Sequence, residues 1–224
     1  LIDACIDKGI KKVVALSTDK ASSPANVYGA TKLTSDRLFV SGNSYTGDHD
    51  TSFSVVRYGN VMGSRGSVIP FFMSIKKDNP LPITDYRMTR FMISLEEAVE
   101  LVWHVFNDMK GGEIYVKKIP SIKVTEIALA VSNTAKQVEV GIRPGEKLHE
   151  QMIGVEDARY TYEYPEHFKI LPNINSWHVD QERIGKGVKV DNNFIYCSNN
   201  NKEWMTVKTL KNWIDANQNK IGRF

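Results

Sequence analysis

The stretch that decides the fold joins Leu16-Ser17-Thr18-Asp19-Lys20 to Tyr28-Gly29-Ala30-Thr31-Lys32. The residues before it, Lys12-Val13-Val14-Ala15, form a short apolar run of the kind found in parallel strands that are buried on both faces. A polar turn follows, and a helix is then favoured by apolar positions with charges between them, at Leu33, Leu38 and Phe39. The pattern predicts strand, turn and helix, with Thr18, Asp19 and Lys20 at the carboxyl end of the strand, where open α/β sheets carry their sites.

Tyr28 and Lys32 lie four residues apart and therefore share one face of the predicted helix. A phenol, whose pKa is about 10, is a poor base at neutral pH. An ammonium one helical turn away favours the phenolate and lowers that pKa. Tyr28 is thus a candidate base for the oxidation of a sugar hydroxyl by a nicotinamide. The pair alone is a weak signal, and its place after the strand and the turn gives it weight.

A second strand is predicted at residues 53–58, and it ends in Gly59-Asn60-Val61 at another carboxyl edge. Gly59 allows the backbone to approach a ligand closely, and the Asn60 amide can both donate and accept hydrogen bonds. From residue 63 to residue 90 the alternation of strand and helix breaks down. We predict that a smaller substrate-binding part begins there, with Arg65 as a candidate ligand because a guanidinium can hold a diphosphate bidentately.

The remaining chain shows weaker patterns. It predicts helices at 69–77, from Ser94 to the glycines at 111–112, from Lys123 with a capping threonine, after Arg143, and at 204–214. It predicts strands at 81–84, 113–116 and 137–142. Beyond residue 153 the composition becomes polar and aromatic, which indicates an extended tail packed over the smaller domain or along a neighbouring subunit.

Composition limits the functional classes. The 224 residues carry a net charge of +3 with the basic residues spread along the chain, so neither nucleic acid nor a membrane surface is an expected partner. Cys5 and Cys197 are far apart in sequence and have no metal-binding spacing near them, which fits a reduced, cytoplasmic protein. No apolar run approaches the roughly 20 residues that span a bilayer.

The first ten residues resemble the latter part of a helix, with Gly9 as its C-terminal stop. No Gly-x-Gly-x-x-Gly turn follows a strand. These two features favour a chain that starts inside a domain. On this interpretation the isolated chain is expected to be inactive and poorly stable, because its first strand exposes an unpaired edge.

Several motifs together resemble the extended short-chain dehydrogenase/reductase superfamily, and within it the inverting UDP-N-acetylglucosamine 4,6-dehydratases that open pseudaminic acid synthesis. Besides the two opening motifs, they occur in the family's order as Val56-Arg57-Tyr58-Gly59-Asn60-Val61, Gly63-Ser64-Arg65-Gly66-Ser67-Val68-Ile69-Pro70, Met88-Thr89-Arg90-Phe91 and Gly141-Ile142-Arg143-Pro144-Gly145-Glu146-Lys147-Leu148-His149-Glu150. The resemblance extends to about residue 205. It implies an α/β fold: the C-terminal part of a Rossmann-type parallel sheet (1–63, with 91–118 returning to it) and a smaller α/β substrate-binding domain with a tail (64–90 and 119–224).

The resemblance also implies roles for particular residues. The catalytic set is Thr18, Asp19, Lys20, Tyr28 and Lys32. Tyr28 acts as the base for C4 oxidation, Lys20 as the base at C5, Asp19 as the acid at the C6 hydroxyl, and Thr18 positions the 4-hydroxyl. Lys20 must be neutral to act as a base, which requires a depressed pKa.

Two further sets are implied in the same way. The cofactor, NADP, is expected to contact Ser17, Tyr28, Lys32, Tyr58 and Asn60. The substrate, UDP-N-acetylglucosamine, is expected to contact Asn60, Arg65, Val68, Arg90, Arg143 and Glu146. In the family, Arg143 would lie against phosphate and Glu146 against the ribose hydroxyls. His149 beside them is left out, because a lone helical histidine is usually structural.

The expected product is UDP-2-acetamido-2,6-dideoxy-β-L-arabino-hexos-4-ulose, formed by dehydration with inversion at C5. Related epimerases usually carry small or hydroxyl residues where this chain has Asp19-Lys20, and retaining dehydratases tend to have Asp-Glu there. Two alternatives stay open: a related nucleotide-sugar epimerase or reductase, and a non-catalytic nucleotide-binding sensor of the same fold. A homo-oligomer and a role in flagellin or surface-glycan modification follow from the resemblance alone.

Overall fold

The structure, a computed structural model, describes residues 1–76, 79–174 and 176–223. Its helices are α1 (Ile2–Asp7), α2 (Val27–Gly42), α3 (Val68–Ser74), α4 (Leu95–Asp108), α5 (Val124–Val131), α6 (Val155–Ala158), α7 (Gln181–Ile184) and α8 (Val207–Asn217). Its strands are β1 (Lys12–Thr18), β2 (Ser52–Tyr58), β3 (Asn60–Val61), β4 (Leu81–Ile83), β5 (Thr89–Ile93), β6 (Ile114–Lys117), β7 (Ser121–Lys123), β8 (Gln137–Glu139), β9 (Gln151–Ile153), β10 (Thr161–Glu163), β11 (His167–Ile170), β12 (Val188–Lys189) and β13 (Tyr196–Cys197). None of the described helices has the length and apolarity needed to cross a membrane.

The chain divides into two compact units, and each is assembled from three separate segments. The first unit comprises residues 1–58, 96–118 and 151–196, and the second comprises 59–95, 119–150 and 197–224. These bounds differ from the sequence prediction in one large segment, because 151–196 belongs to the first unit and not to a substrate domain or an extended tail. The physical reason lies in backbone pairing: β11 adds antiparallel to β6, with His167 opposite Lys117 and Ile170 opposite Ile114.

The first unit is built on a mixed sheet whose parallel part was predicted from the apolar runs. Within the described residues its strand order is β1-β2-β6-β11-β10-β12, and β1, β2 and β6 are parallel to one another. Phe53, Val55 and Val56 of β2 are fully buried, as expected of a central strand covered on both faces. Both β1 and β2 end in the polar segments that the sequence singled out, so the predicted α/β fold class is confirmed.

Helix α2 follows β1 across a short polar turn, as predicted. It begins one residue before Tyr28 because the Asn26 side chain caps it, accepting a hydrogen bond from the Gly29 N–H at 2.8 Å. The helix extends three residues beyond the predicted apolar positions, to Gly42, since Val40 is also buried. The Asn43 side chain then binds the backbone of Phe53, which fixes the end of α2 beside β2.

A buried ionic group also links α2 to the sheet of the first unit. Arg57, near the end of β2, is fully buried and donates to Asp36 at 3.0 Å, to Asp157 at 3.1 Å and to the Met152 carbonyl at 2.7 Å. Arg37 approaches the same Asp157 at 3.1 Å from the surface. Asp36 lies one turn after Lys32 and two turns after Tyr28, so this contact fixes the helical face that carries both.

The second unit has its own apolar core around α3, α5 and α8. Two small sheets frame it, β3-β5-β7 and β4-β8 among the described residues. The core side chains come from every segment of the unit: Met62, Ile69, Phe72, Leu81, Ile83, Met88, Met92, Ile122, Val124, Ile127, Ala128, Ala130, Leu210 and Ile214. The apolar positions that predicted α3 and α8 therefore pack inward, and the unit has a core independent of the first.

Several element bounds differ from the prediction. Helix α3 ends at Ser74, and residue 77, where the predicted helix ended, lies outside the described residues. In α5 the cap is not a threonine: the Glu126 carboxylate accepts from the Lys123 N–H, and Thr125 lies within the helix. Strand β8 stops at Glu139, and no helix forms after Arg143 because Pro144 and Gly145 lie in a turn.

A buried histidine lies in an aromatic group of the first unit. The His167 ring stacks on the Tyr164 ring at 4.7 Å between centroids, and the His104 ring lies 4.8 Å from it. Burial lowers the pKa of His167 to about 4, the neighbouring His104 and Lys169 side chains add to the effect, and Asp108 opposes it. The folded protein therefore holds His167 neutral where the unfolded chain protonates it.

This difference predicts acid sensitivity. The unfolded chain binds a proton at His167 below its ordinary pKa of 6.5, whereas the folded chain binds it only near 4. The contribution of neutral His167 to the free energy of unfolding is expected to be fully present above pH 6.5. The free energy of unfolding should then fall by up to about 3 kcal/mol as the pH decreases to 4. Urea unfolding across this window should give a flatter profile for His167→Phe, whereas the control His49→Phe, at an exposed loop position, should keep the wild-type slope. An unchanged slope for His167→Phe would contradict the assignment.

Candidate active site

The polar residues after β1 form one connected group, and the three-residue 3₁₀ helix Asp19–Ala21 holds them in place. Asp19 is fully buried, and its Oδ1 accepts from the Thr18 hydroxyl and from the Lys20 ammonium, each at 2.9 Å. The Lys20 side chain is 34% exposed, so its amine is accessible while it remains paired with the carboxylate. The structure thus brings together the predicted base and acid within one hydrogen bond.

Two buried oxygens beside this group have no hydrogen-bond partner among the described residues. They are Asp19 Oδ2 and Ser17 Oγ. A buried polar atom without a partner is costly, and native proteins usually satisfy such atoms with a ligand or water. One oxygen of the Asp19 carboxylate therefore already accepts hydrogen bonds, and the other has no hydrogen-bond partner among the described residues. The two unsatisfied oxygens fit a ligand with hydroxyl or amide groups, as a sugar or a nicotinamide has.

Tyr28 and Lys32 lie in the first two turns of α2. The Tyr28 side chain is about half exposed, and the Lys32 ammonium donates to the Leu16 carbonyl at 3.2 Å. Burial raises the pKa of Tyr58 at the end of β2, and the nearby Tyr28 phenol raises it further. Tyr58 thus stays a neutral phenol, suited to hydrogen bonding and not to proton abstraction. Tyr28 lies close enough to affect Tyr58 electrostatically, and their shared contact with a cofactor stays a prediction.

In the second unit, Gly59 and Asn60 lie against β5. A Cβ on Gly59 would lie 2.5 Å from Phe91 Cβ and 2.9 Å from the Phe91 carbonyl oxygen. The approach of β5 therefore requires glycine here, and the close approach of this backbone to a ligand stays a prediction. Asn60 begins β3 and pairs with Met92 of β5. Its role toward cofactor and substrate stays a prediction.

Three of the predicted substrate residues line one cavity of the second unit. Val68, Arg143 and Glu146 border a space of about 580 Å³. The other walls are mostly apolar and include Pro70, Phe71, Phe72, Pro82, Val124 and Val140. Arg143 is 75% exposed and its guanidinium lies 3.8 Å from the Glu146 carboxylate, so the charged pair is at the surface beside apolar walls. This arrangement suits a ligand with a flat apolar part and an anionic part.

Arg90 and Arg65 are placed differently. Arg90 is mostly buried, and its guanidinium donates to the carbonyls of Thr89, Lys147 and Leu148 at 2.7–3.2 Å. Two of these hydrogen bonds thus hold the 147–148 backbone beside β5, and all three leave only part of the guanidinium for a ligand. Arg65 is exposed on the turn between β3 and α3. The structure does not bring Arg65 or Arg90 into the lining of the Arg143 cavity.

His149, which the sequence left out of the site, has a structural partner. Its Nδ1 lies 2.8 Å from Thr89 Oγ1, which in turn lies 2.6 Å from Ser198 Oγ. Burial lowers the pKa of His149, and Arg90 and Arg87 contribute in the same direction. In the described part of the chain no cluster of His, Cys, Asp or Glu side chains is arranged to bind a metal ion.

Sequence reasoning missed two residues that organise the catalytic group, Arg57 and Gly29. The signal for Arg57 was a charge at the end of an otherwise apolar strand, Val55-Val56-Arg57, and it was treated only as part of a motif. Gly29 directly follows Tyr28 in the sequence, and only the three-dimensional path of the backbone shows what it contacts.

Comparisons with known proteins agree with this geometry. The chain is 51% identical over 219 residues to a UDP-N-acetylglucosamine 4,6-dehydratase (inverting) of Campylobacter jejuni, a match that covers 94% of this chain and 65% of the relative. It is 37% identical over 175 residues to a UDP-glucose 4-epimerase of Rickettsia canadensis, with coverage of 76% and 51%. The chain thus spans just under two thirds of the dehydratase and about half of the epimerase.

Solved structures share the fold. Pen from Bacillus thuringiensis superimposes with a TM-score of 0.83 at 34% identity, covering 97% of this chain and 65% of that one. An NAD-dependent NDP-hexosamine 5,6-dehydratase of tunicamycin biosynthesis, TunA, matches with a TM-score of 0.54 at 20% identity over 65% of this chain and 55% of its own, which supports the fold alone. The sequence profile of a family described as polysaccharide biosynthesis protein matches residues 1–172. That match covers most of the chain, which therefore belongs to the polysaccharide biosynthesis protein family.

Proposed function

We propose that the protein to which this chain belongs dehydrates UDP-N-acetylglucosamine at C4 and C6 with inversion at C5. The observation that carries the proposal is the Asp19 carboxylate: one oxygen binds both Thr18 and Lys20, and the other is buried and unpartnered within the described residues. An elimination needs a base and an acid at neighbouring carbons, and this group supplies both within one hydrogen bond. The identity to an inverting dehydratase supports the same assignment.

The Asp19–Lys20 pair can hold its proton in two ways. When the proton lies on the carboxyl, Lys20 is a neutral amine and Asp19 is an acid. Lys20 then takes the proton from C5, the C5–C6 double bond forms, and Asp19 protonates the departing C6 hydroxyl as water. The pair ends as ammonium and carboxylate, the arrangement that the 2.9 Å contact favours in the absence of substrate. Proton transfer across this hydrogen bond resets the base and the acid.

Loss of the C5 proton requires a ketone at C4, which makes the neighbouring C–H acidic. Tyr28 is proposed to take the proton of the 4-hydroxyl, and the Thr18 hydroxyl to orient that group. A nicotinamide dinucleotide, NADP by resemblance, would supply hydride chemistry here, taking the C4 hydrogen as hydride and giving it back at C6. C5 would then take a proton from solvent on the face opposite Lys20, and the proton held by Tyr28 would pass to solvent, so that water is the only group lost. Ser17, Tyr28, Lys32, Tyr58 and Asn60 are the residues proposed to hold the dinucleotide, and the unsatisfied Ser17 hydroxyl fits that role.

The cavity bordered by Arg143 and Glu146 is proposed to bind the uridine diphosphate. Its apolar walls suit a flat base, its guanidinium suits phosphate, and its carboxylate suits the ribose hydroxyls. Asn60, Arg65 and Arg90 are retained as proposed substrate contacts from the family motifs. A cytoplasmic homo-oligomer acting in pseudaminic acid synthesis, and thereby in flagellin glycosylation, is the biological setting we propose.

The cavity assignment predicts a selective loss of affinity. In the full-length protein, Arg143→Met should weaken UDP binding about tenfold or more, because a charge-assisted contact to phosphate contributes about 1.5–3 kcal/mol. The effect should appear in KM and not in kcat, since the phosphate lies away from the reacting carbons. Calorimetric titration with UDP checks the affinity. The exposed Arg159 of the first unit provides a matched Arg→Met control, and equal behaviour of the two variants would contradict the assignment.

The test of the proposed function is NMR of the reaction of UDP-N-acetylglucosamine with the full-length protein in D₂O. A C6 methyl group with deuterium at an inverted C5 is the expected result. A product that keeps its 6-hydroxyl would favour an epimerase or reductase, and a C6 methyl with unchanged C5 would favour a retaining dehydratase. Binding without any conversion would favour a nucleotide sensor.

A further inference from the structure

Gly29 lies in the first turn of α2 at the closest approach of that helix to the Asp19–Lys20 turn. A Cβ added at Gly29 would lie 2.4 Å from the Lys20 carbonyl oxygen, 2.9 Å from Pro24 Cβ and 3.3 Å from Pro24 Cα. Gly29 has no positive φ, so its backbone conformation alone does not require glycine. The requirement is steric, and it comes from the backbone of a proposed catalytic residue.

The turn that meets Gly29 is poorly able to move aside. Ala21 and Ser22 are buried, and Ser23 adopts a left-handed φ of 46°, a conformation that is unfavourable for a non-glycine residue. Pro24 adds a fixed ring at the contact. On the helix side, the Gly29 N–H is held by the Asn26 cap. Both surfaces are therefore backbone or rigid ring, and neither is a flexible side chain.

We propose that Gly29 is a positioning residue that sets the distance between Lys20 and Tyr28. The inference rests on the proposed function, in which Tyr28 acts at the 4-hydroxyl and Lys20 at the adjacent C5. One rigid sugar ring must meet both groups, so their spacing is a condition of coupling oxidation to elimination. A methyl group at residue 29 would have to displace the Lys20 carbonyl by about 1 Å to reach an ordinary contact. A misplacement of that size costs a reaction about 100-fold.

The experiment compares Gly29→Ala with Gly42→Ala in the full-length protein. Gly42 lies near the end of the same helix, and a Cβ there would meet only side chains, Ile2 at 3.2 Å and Phe53 at 3.3 Å. The expected result for Gly29→Ala is a loss of about 100-fold in C6-methyl product and in deuterium incorporation at C5. Reduced nicotinamide, followed by its absorbance, should still form on mixing with substrate. Thermal stability should resemble that of the control, which should keep wild-type turnover.

Two results would overturn the proposal: wild-type turnover by Gly29→Ala, or an equal loss of oxidation and elimination in proportion to a loss of folded protein. A crystal structure of the variant gives a readout that does not depend on the reaction. The Lys20 carbonyl should be displaced from the start of α2, and an undisplaced carbonyl would overturn the spacing role. If the wild-type protein itself forms no C6 methyl group, the proposed function fails, and the displacement alone then decides the spacing role.

Discussion

Lys20→Met in the full-length protein is expected to abolish deuterium incorporation at C5 and to lower the rate of dehydration by about 10³-fold. General acid–base catalysis contributes about 10²–10⁴-fold, and the substitution removes the amine that pairs with Asp19. Methionine is unbranched and only one atom shorter than lysine, so it replaces the apolar stem and preserves the packing of the buried turn. The buried Asp19 also loses the ammonium that pairs with it, so the proposed acid is left without a base.

The measurement is the NMR assay in D₂O combined with calorimetric titration of UDP. Binding should stay near the wild-type value because the substitution lies outside the proposed nucleotide cavity. Lys11→Met is the matched control: this lysine precedes β1, its side chain is 80% exposed, and it faces only Asp50 at 3.9 Å. Turnover by Lys20→Met at the level of the control would refute the proposed base. Loss of nucleotide binding in parallel with turnover would indicate unfolding and not lost catalysis.

Arg57→Leu is expected to lower the free energy of unfolding by about 3–5 kcal/mol. Removing one partner of a buried ion group leaves the remaining charge unpaired. Here the Asp36 carboxylate would be left without its cation in the interior of the first unit. Asp157 keeps a second cation, Arg37, so most of the cost is expected at Asp36. Urea unfolding of the full-length protein, followed by circular dichroism, measures the change.

Arg37→Leu is the matched control for this prediction. It contacts the same Asp157 at the same 3.1 Å, but its side chain is 56% exposed, and exposed ion pairs contribute about 1 kcal/mol or less. The double variant Asp36→Leu/Arg57→Leu should recover part of the lost stability, because replacing a whole buried pair by apolar residues removes the stranded charge. Equal losses for Arg57→Leu and Arg37→Leu would contradict the buried-charge argument.

The strand–turn–helix core of the fold was predictable from the sequence because it depends on local patterns. Apolar β-branched runs gave β1 and β2, and the polar residues at their ends marked the carboxyl edge. The turn cluster gave the start of α2 to within one residue. Arg143 and Glu146 lie 3.8 Å apart because three residues of spacing on one short turn fix their proximity, and their role toward the substrate stays a prediction.

What failed depended on contacts distant in sequence. Strands β10 and β11 were interpreted as a tail because each is only three or four residues long, and the partner strand β6 lies about 50 residues earlier. The helix expected after Arg143 does not form because the motif contains proline and glycine in a turn. The contact of Gly59 with Phe91 of another strand was likewise not predicted. A local sequence pattern does not indicate which residue of a distant strand will lie beside a given position.

The interleaving of the two units has a consequence for how the chain is made. The first unit needs residues 151–196 to complete its sheet, yet residues 59–95 and 119–150, which precede that segment, belong to the second unit. During synthesis on the ribosome, the first unit therefore cannot close until nearly the whole described chain has emerged. The second unit in turn waits for α8 at the C-terminal end to fill its core. Neither unit is therefore encoded by one contiguous part of the described chain, and each waits for a segment that follows a long stretch of the other.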